Sequence, residues 1–314
     1  MIIEKNGKNR KGSIEMRNEL YNLKDWDALS REEKGKIVVD MVKNNEIPLK
    51  IKDLRLLSFR AGSQEHDIPI LNSSEGFFAL IPGIQNIELG QDRNILQSTD
   101  DMIEEYKQSA EEYELPDYQK FLELSLKKPY KTKIKPFIIE CVAREAGLKK
   151  ISDEKTERGG MMTFKNGKTI RKDTTGTYEI NTRTFAQIAK YLEETPFSLP
   201  TEEQWEYACR GGVKTLFKWG NTCPTDGYPI DRTTFNLHLQ PNAFGLDITR
   251  NPYNWELTET GSFVGGDGGS AICGGTGFFL GWFQLACSLK PSNPFREDSQ
   301  LFGAHVRRII NLTD

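Results

Sequence analysis

The amino-acid sequence predicts an α+β fold with much irregular structure, and three features of the 314-residue chain point to it. Short helices carry clear boundaries: Thr201 and Gln204 form a capping box, and Gly211 supplies a left-handed stop. The alternation of polar and apolar residues from Lys127 to Lys135 fits a strand with one solvated face. From Gly211 onward glycine and aromatic residues dominate, which makes regular helix unlikely there.

The first part of the chain predicts helices. Ser30 and Glu33 form a capping box that opens a helix, and a second helix is expected over residues 20–29. The apolar face of the first of these helices consists of Ile37, Val38, Met41 and Val42. We interpret residues 1–73 as a helical N-terminal extension that packs on a main domain of residues 74–314.

The middle of the chain predicts an insertion, a hairpin and a further helix. Residues 100–113 and 117–127 have the charge pattern of two helices inserted between strands. Residues 147–178 are polar and predict a hairpin or a mobile surface loop, and Thr184 caps a helix that follows. The turn signals of the hairpin are Gly159-Gly160 and Asn166-Gly167. The inner face of the helix consists of Phe185, Ile188, Ala189 and Leu192.

Composition narrows the range of partners. With 42 basic and 45 acidic residues the net charge is −3, so no global positive field draws the chain to nucleic acid or to an acidic membrane surface. No apolar run is long enough to cross a bilayer, and residues 1–17 lack the hydrophobic stretch of an export signal. We therefore expect a cytoplasmic protein that binds neither nucleic acid nor membrane.

The cysteines and histidines predict no preformed metal centre. The five cysteines are odd in number and irregularly spaced, which is typical of free thiols, and the lack of a Cys-x-x-Cys pair argues against structural zinc. Three single histidines could build an iron centre only from distant positions. These residues are Cys141, Cys209, Cys223, Cys273 and Cys287, with His66, His238 and His305.

Residues 197–221 carry the most informative string, which begins Phe-Ser-Leu-Pro-Thr-Glu-Glu-Gln-Trp-Glu-Tyr-Ala-Cys-Arg-Gly-Gly. The string resembles the signature of the formylglycine-generating enzyme (sulfatase-modifying factor) family, with Ser198 in place of the usual arginine. Other segments follow in the family's order, so that the resemblance covers roughly residues 75 to 312. They are residues 78–83, 88–90, 133–139, 241–246, 255–256, 268–273 and a terminal strand containing Gly303.

The resemblance implies a C-type-lectin-like α+β fold and locates the family's oxidative site. Cys273 lies in residues 265–277, of which seven of thirteen are glycine, and this context matches the family's first active-site cysteine. Family enzymes place a second cysteine five residues later, and the two thiolates hold a copper(I) ion, a soft cation that suits thiolate ligands. Here that position is Phe278, and the next cysteine is Cys287.

The replaced cysteine predicts a changed function. A single thiol can act as a nucleophile or as one metal ligand but cannot form a two-coordinate thiolate site. We expect a binding or accessory module, a pseudoenzyme without formylglycine-generating activity, in which Cys273 is structural or lines a ligand cleft. The alternative is an oxidative enzyme that acts on a thiol or peptide substrate, with Cys273 and either Cys287 or a histidine binding copper or non-haem iron. A third interpretation makes the loops a lectin-like surface for protein recognition, with the helical extension docking a partner.

A ligand cleft near Cys273 is the expected binding site, for an unknown peptide, protein or small molecule. Aromatic clusters more often form core, so the core interpretation of its aromatic residues comes first, and its polar residues could simply satisfy turn amides. His305, Arg307 and Arg308 either reach this cleft or are surface charges. The predicted cleft residues are Trp255, Asp267, Ser270, Phe278 and Trp282.

A calcium site is the remaining candidate. Asn242, Asp247 and Glu256 lie in segments that resemble the family's calcium-binding loops, and oxygen ligands suit that hard cation. The family's Gly-Asn before Trp-Glu is replaced by residues 251–254, Asn-Pro-Tyr-Asn, with one additional residue. The alternative is a pair of loops held by Asx-type hydrogen bonds.

Overall fold

The computed structural model describes residues 18–312, apart from residues 158, 159, 167, 175, 232, 233, 294–297 and 302. Helices and antiparallel sheets both occur, which confirms the α+β class. The predicted turn glycines Gly159 and Gly167 lie outside the described residues. The helices are α1 (Leu23–Ala28), α2 (Arg31–Lys43), α3 (Asp100–Glu112), α4 (Tyr118–Ser125), α5 (Phe185–Glu193), α6 (Glu202–Arg210), α7 (Ser270–Cys273) and α8 (Phe278–Phe283). Short 3-10 helices span Asn18–Tyr21, Arg93–Ile95 and Leu237–Leu239.

The central element is a five-stranded antiparallel sheet with the strand order β1-β2-β3-β6-β15. Its middle strand pairs Ala79 with Ile70 on one side and with Ile139 on the other. The strands of the molecule are β1 (Ile51–Ala61), β2 (Gln64–Ser73), β3 (Gly76–Ile81), β4 (Ile84–Leu89), β5 (Tyr130–Ile134), β6 (Phe137–Glu140), β7 (Arg144–Glu145), β8 (Leu148–Ser152), β9 (Met161–Lys165), β10 (Lys168–Lys172), β11 (Thr177–Ile180), β12 (Glu256–Leu257), β13 (Phe263–Val264), β14 (His305–Val306) and β15 (Ile309–Asn311).

The described part of the N-terminal extension, residues 18–73, is only partly helical. Ser30 and Glu33 form the predicted capping box of α2, and Ile37, Val38 and Met41 are buried. Residues 51–73, however, form β1 and β2 and pair with β3. The buried faces of α1 and α2 share one hydrophobic cluster with strands β2, β3, β6 and β15. The extension is therefore an integral part of the sheet and its core, in contrast to the helical extension that the sequence predicted.

The insertion between β4 and β5 consists of two helices, as predicted. The side chains of Thr99 and Asp117 cap α3 and α4, and the apolar face of this pair packs on α8. The polar segment that follows forms a four-stranded antiparallel sheet, β8-β11-β10-β9, in which β9 and β10 form the expected hairpin. Asn166, with a φ of 52°, occupies the turn of that hairpin.

Helix α6 carries the signature string and is fixed at both ends. The capping box of Thr201 and Gln204 is present, and Gly211 ends the helix with a φ of 55°. Asn242 then binds the last turn, because its side-chain amide donates to the carbonyl oxygens of Ala208 and Cys209 at 2.6 and 2.9 Å. This contact joins the following loop to the helix end.

A buried charge network holds the same helix to the ends of the paired strands β4 and β5. Glu206 Oε1 accepts hydrogen bonds from the amide of Gly90, at 2.7 Å, and from Arg210 Nε, at 3.1 Å. Lys127 Nζ lies 3.5 Å from the second oxygen of Glu206. Glu206 and Arg210 of the signature string therefore have a structural role, since their side chains are paired inside the protein.

The chain after Gly211 contains more regular structure than its glycine content predicted. Helices α7 and α8 and strands β12 to β15 all lie there, although each of them has only two to six residues. The left-handed glycines Gly269 and Gly277 directly precede the two helices, with φ values of 85° and 94°. Glycine therefore positions these short helices in addition to making turns.

Among the described residues, no helix combines the length and the apolar character needed to cross a membrane.

Candidate functional site

Cys273 lies on the surface at the end of α7, and its thiol has a single partner. The Sγ atom is 3.1 Å from the hydroxyl of Tyr253, and the residue is exposed. The same hydrogen bond raises the pKa of Tyr253. Within the described part of the chain, Cys273 is thus an accessible thiol that contacts a phenol.

Asp267 and Ser270 hold the turn that presents this thiol. The two carboxylate oxygens of Asp267 accept hydrogen bonds from the amides of Gly269 and Ala271, at 2.8 and 2.7 Å. The hydroxyl of Ser270 donates to the carbonyl oxygen of Asp267 at 2.9 Å. Asp267 therefore satisfies turn amides and Ser270 a turn carbonyl, in line with the alternative to orienting a substrate.

The insertion helix α3 contacts the start of α8 at Phe278 and Phe279. The carboxylate of Glu105 accepts hydrogen bonds from the amides of Phe278 and Phe279, at 2.5 and 2.9 Å, and so caps the start of α8. The hydroxyl of Tyr113, which follows α3, lies 3.1 Å from the carbonyl oxygens of both Gly274 and Gly275. The glycine-rich loop is therefore attached to the insertion at two points.

The same contact predicts a specific sensitivity at Gly277. A Cβ atom there would lie 2.0 Å from Ser109 Oγ and 2.7 Å from Glu105 Oε1, and the φ of 94° disfavours alanine. We expect Gly277→Ala to lower the free energy of unfolding by about 1–3 kcal/mol in urea titrations. Gly303→Ala is the matched control, because its φ is 71° but no atom lies within 4 Å of its Cβ position. An equal loss in both variants would show that the packing of α3 on this loop contributes nothing.

Cys287 does not pair with Cys273. Its sulfur lies 3.5 Å from that of Cys209, deep in the core, and both residues are buried. Cys273 has the hydroxyl of Tyr253 as its partner instead. The donor set present around Cys273 therefore does not fit a two-coordinate copper(I) ion, and we derive no chemistry through that metal.

The five thiols differ strongly in accessibility, which predicts their reactivity. Burial raises the pKa of Cys141 to about 12 and also raises the pKa of Cys209 and Cys223, so these groups stay protonated at neutral pH. Of the five, only Cys273 is exposed. We expect a chromogenic disulfide reagent at pH 8 to label one thiol rapidly in the native protein and five in denaturant. Cys273→Ser should abolish the rapid phase; its persistence would contradict the assignment.

The predicted aromatic cleft separates into core and surface residues. Trp282 is fully buried, donates to the carbonyl oxygen of Gly227 at 2.8 Å and therefore belongs to the core. Trp255 stacks on Phe263 with ring centroids 4.4 Å apart. Phe278 is partly buried and meets Tyr228 edge-on at 4.9 Å. Four cavities of the described residues have volumes of 380–640 Å³, and Cys273 lines none of them.

The three predicted calcium ligands have partners inside the protein. Asn242 Oδ1 accepts hydrogen bonds from two loop amides, those of Phe244 and Leu246, both at 3.0 Å. Asp247 Oδ2 accepts from Arg250 at 2.5 Å. Both oxygens of Glu256 are bound by Arg307 at 2.7 Å. The geometry favours the Asx-type loop, and no cluster of three or more His, Cys, Asp or Glu side chains suited to a metal occurs among the described residues.

The buried pair of Glu256 and Arg307 is a feature that sequence reasoning missed. Arg307 is fully buried, and it also donates to the carbonyl oxygens of Glu140 and Asp247 at 2.7 and 2.8 Å. Trp205 Nε1 donates to the same carboxylate at 2.9 Å. The sequence signal that could have revealed it is the pair of adjacent arginines near the end of the chain. The sequence alone did not decide whether these arginines reach the cleft or lie at the surface.

Comparisons with known proteins agree with this description of α6 and its loops. The sulfatase-modifying factor enzyme 1-like domain matches residues 150–264, which include the signature helix, Asn242 and Glu256. Over these residues the chain is similar to the sulfatase-modifying factor family. The formylglycine-generating enzymes of Mus musculus and Bos taurus are each 34% identical to the chain in a 77-residue alignment that covers 18% of it.

The matches cover only part of the chain, and the family match does not reach the residues around the exposed thiol. The chain spans about a fifth of the length of the curated relatives it matches, since the aligned share of each is 21%. The sulfatase-modifying factor match ends at residue 264, before Cys273, Phe278 and Cys287. The matched part thus covers the structural signature of the family, whereas the residues around the exposed thiol lie beyond it.

Proposed function

We propose that this sulfatase-modifying factor relative is a binding or accessory module that does not generate formylglycine. The observation that carries the proposal is Phe278, whose amide is bound by Glu105 at the position of the family's second thiol. The only other thiol that follows Cys273 in the chain, Cys287, faces Cys209 in the core. Among the described contacts Cys273 therefore has no second thiol beside it, which supports a role other than oxygen activation at a Cys273 thiolate pair.

We further infer a C-type-lectin-like arrangement and a cytoplasmic location. Several small antiparallel sheets joined by long packed loops support the fold. Five free thiols support a reducing compartment, because disulfides are uncommon there. Both inferences agree with a ligand-binding role in which loops provide the recognition surface.

An oxidation assay tests the proposal. The full chain is incubated with a cysteine-containing peptide, copper, reductant and oxygen, and aldehyde formation is followed by mass spectrometry. We expect no turnover above that of Cys273→Ser. Turnover that depends on Cys273 would overturn the proposal and favour the alternative, an oxidative enzyme with a rearranged site, whose metal should survive dialysis and be absent from Cys273→Ser.

A further inference from the structure

The largest of the four cavities, about 640 Å³, lies away from the exposed thiol. It is bounded by the chain that follows β6, by the segment around the 3-10 helix Leu237–Leu239 and by residues 247–254. The amide of Asp247 donates to the carbonyl oxygen of Cys141 at 2.9 Å, which holds the last of these segments beside the end of β6. A cavity of this size suits a small organic ligand.

One side of the cavity presents a charged pair with spare hydrogen-bonding capacity. Arg250 Nη1 donates to Asp247 Oδ2, and the two side chains are 38% and 26% exposed. A guanidinium has five N–H donors and a carboxylate has two oxygens. Among the described contacts this pair uses one donor and one oxygen, so the remaining atoms can bind a ligand that carries both charges.

His305 adds an acceptor to the same cavity. Its Nδ1 atom lies 2.9 Å from the carbonyl oxygen of Gly303, which can only accept, so Nδ1 carries the proton and Nε2 presents a lone pair. No contact of Nε2 is described. Burial also lowers the pKa of His305, which favours the neutral ring. A ligand N–H group is the natural partner of this atom.

The backbone holds the arginine in place. Thr249, which precedes Arg250 and also lines the cavity, has a φ of 47°, an unusual value for a β-branched residue. The neighbouring Glu256 is neutralised by Arg307, so it adds no free charge to the cavity. Four apolar side chains also line the cavity, those of Val142, Ile230, Phe235 and Leu239.

These groups together complement a zwitterion with an apolar substituent. We propose that the cavity binds a free α-amino acid with an apolar side chain, its carboxylate on Arg250 and its ammonium on Asp247 and His305. This inference rests on the proposed binding function and names its ligand class. The amides of Asn251 and Asn254, which also line the cavity, provide further donors for the carboxylate.

Calorimetric titration of the full chain with L-leucine tests the inference. Two analogues separate the charges: L-leucinamide lacks the carboxylate, and 4-methylpentanoate lacks the ammonium. We expect L-leucine to bind and each analogue to bind about tenfold more weakly or worse, because each loses charge-assisted hydrogen bonds. The dipeptide Leu-Leu, in which the two charges are farther apart, should bind more weakly than L-leucine.

Substitutions of cavity residues test whether L-leucine binds in this cavity. Arg250→Gln should weaken L-leucine binding by about tenfold or more, and His305→Asn should weaken it while its amide keeps the bond to Gly303. Arg93→Gln is the matched control, since Arg93 is similarly exposed and pairs with Glu123 outside the cavity. Melting temperatures near that of the wild type confirm that the variants fold.

Two results overturn the inference: no heat of binding at millimolar L-leucine, or equal affinity in the wild type and Arg250→Gln. Neither result affects the proposed absence of formylglycine chemistry, which the peptide oxidation assay tests separately. Conversely, Cys273-dependent oxidation of the peptide would overturn the proposed function. If L-leucine binding still depended on Arg250, the assignment of the cavity as an amino-acid site would stand.

Discussion

Replacing Arg307 with methionine is expected to lower the free energy of unfolding by about 3–5 kcal/mol. The substitution leaves the Glu256 carboxylate in the core with Trp205 as its one remaining hydrogen-bond donor among the described residues. It also removes the donors that bind the carbonyl oxygens of Glu140 and Asp247. An unpaired buried charge costs far more than the loss of a surface pair. Urea titration followed by fluorescence measures the loss.

The double variant and a surface control make this prediction specific. Arg307→Met combined with Glu256→Gln should recover part of the loss, because the two side chains interact directly. Arg93→Met should cost less than about 1 kcal/mol, since Arg93 lies at the surface and 4.0 Å from Glu123. If Arg307→Met lowered the free energy of unfolding by less than about 1 kcal/mol, the buried pair would not stabilise this fold.

Asn242→Ala is expected to cost at least about 3 kcal/mol of unfolding free energy. One fully buried side chain serves four backbone groups: two helix carbonyls at the end of α6 accept from it, and the amides of Phe244 and Leu246 donate to it. Truncation leaves these groups without partners in the core. Asn94→Ala, at an exposed position, should change stability by less than about 0.5 kcal/mol.

The same variant distinguishes a structural asparagine from a calcium ligand. If the hydrogen bonds of Asn242 alone matter, Asn242→Ala lowers the melting temperature by the same amount in calcium and in a chelator. If calcium raises the melting temperature of the wild type but not that of Asn242→Ala, then Asn242 is a metal ligand and the Asx-type interpretation is wrong. Differential scanning fluorimetry in both buffers reads out the difference.

Local signals in the sequence predicted the helices well. The caps at Ser30, Thr184 and Thr201 and the stop at Gly211 all occur as expected. Each depends on residues within about one helical turn, so a short string of sequence contains all the information needed. The signature helix therefore follows from the string in which it lies.

Long-range pairing could not be predicted in the same way. Residues 51–73 form sheet because β2 pairs with β3. The periodicity of a sequence does not reveal which distant strand it will pair with. Cys287 meets Cys209 across 78 positions of sequence, and Glu105 meets Phe278 across 173. The replaced cysteine was evident from the family resemblance, but the carboxylate that binds the amide of Phe278 was not.

Copper(I) affinity of the fully reduced protein, measured by competition with a chromogenic chelator, tests the central claim most directly. Wild type, Cys273→Ser and Cys287→Ser are compared, with Phe278→Cys as the variant that restores the family's spacing. The account predicts no tight binding that depends on both native cysteines and a gain of affinity in Phe278→Cys. Tight one-to-one binding by the wild type that is lost in both serine variants would contradict it, because the two native thiols would then form the site.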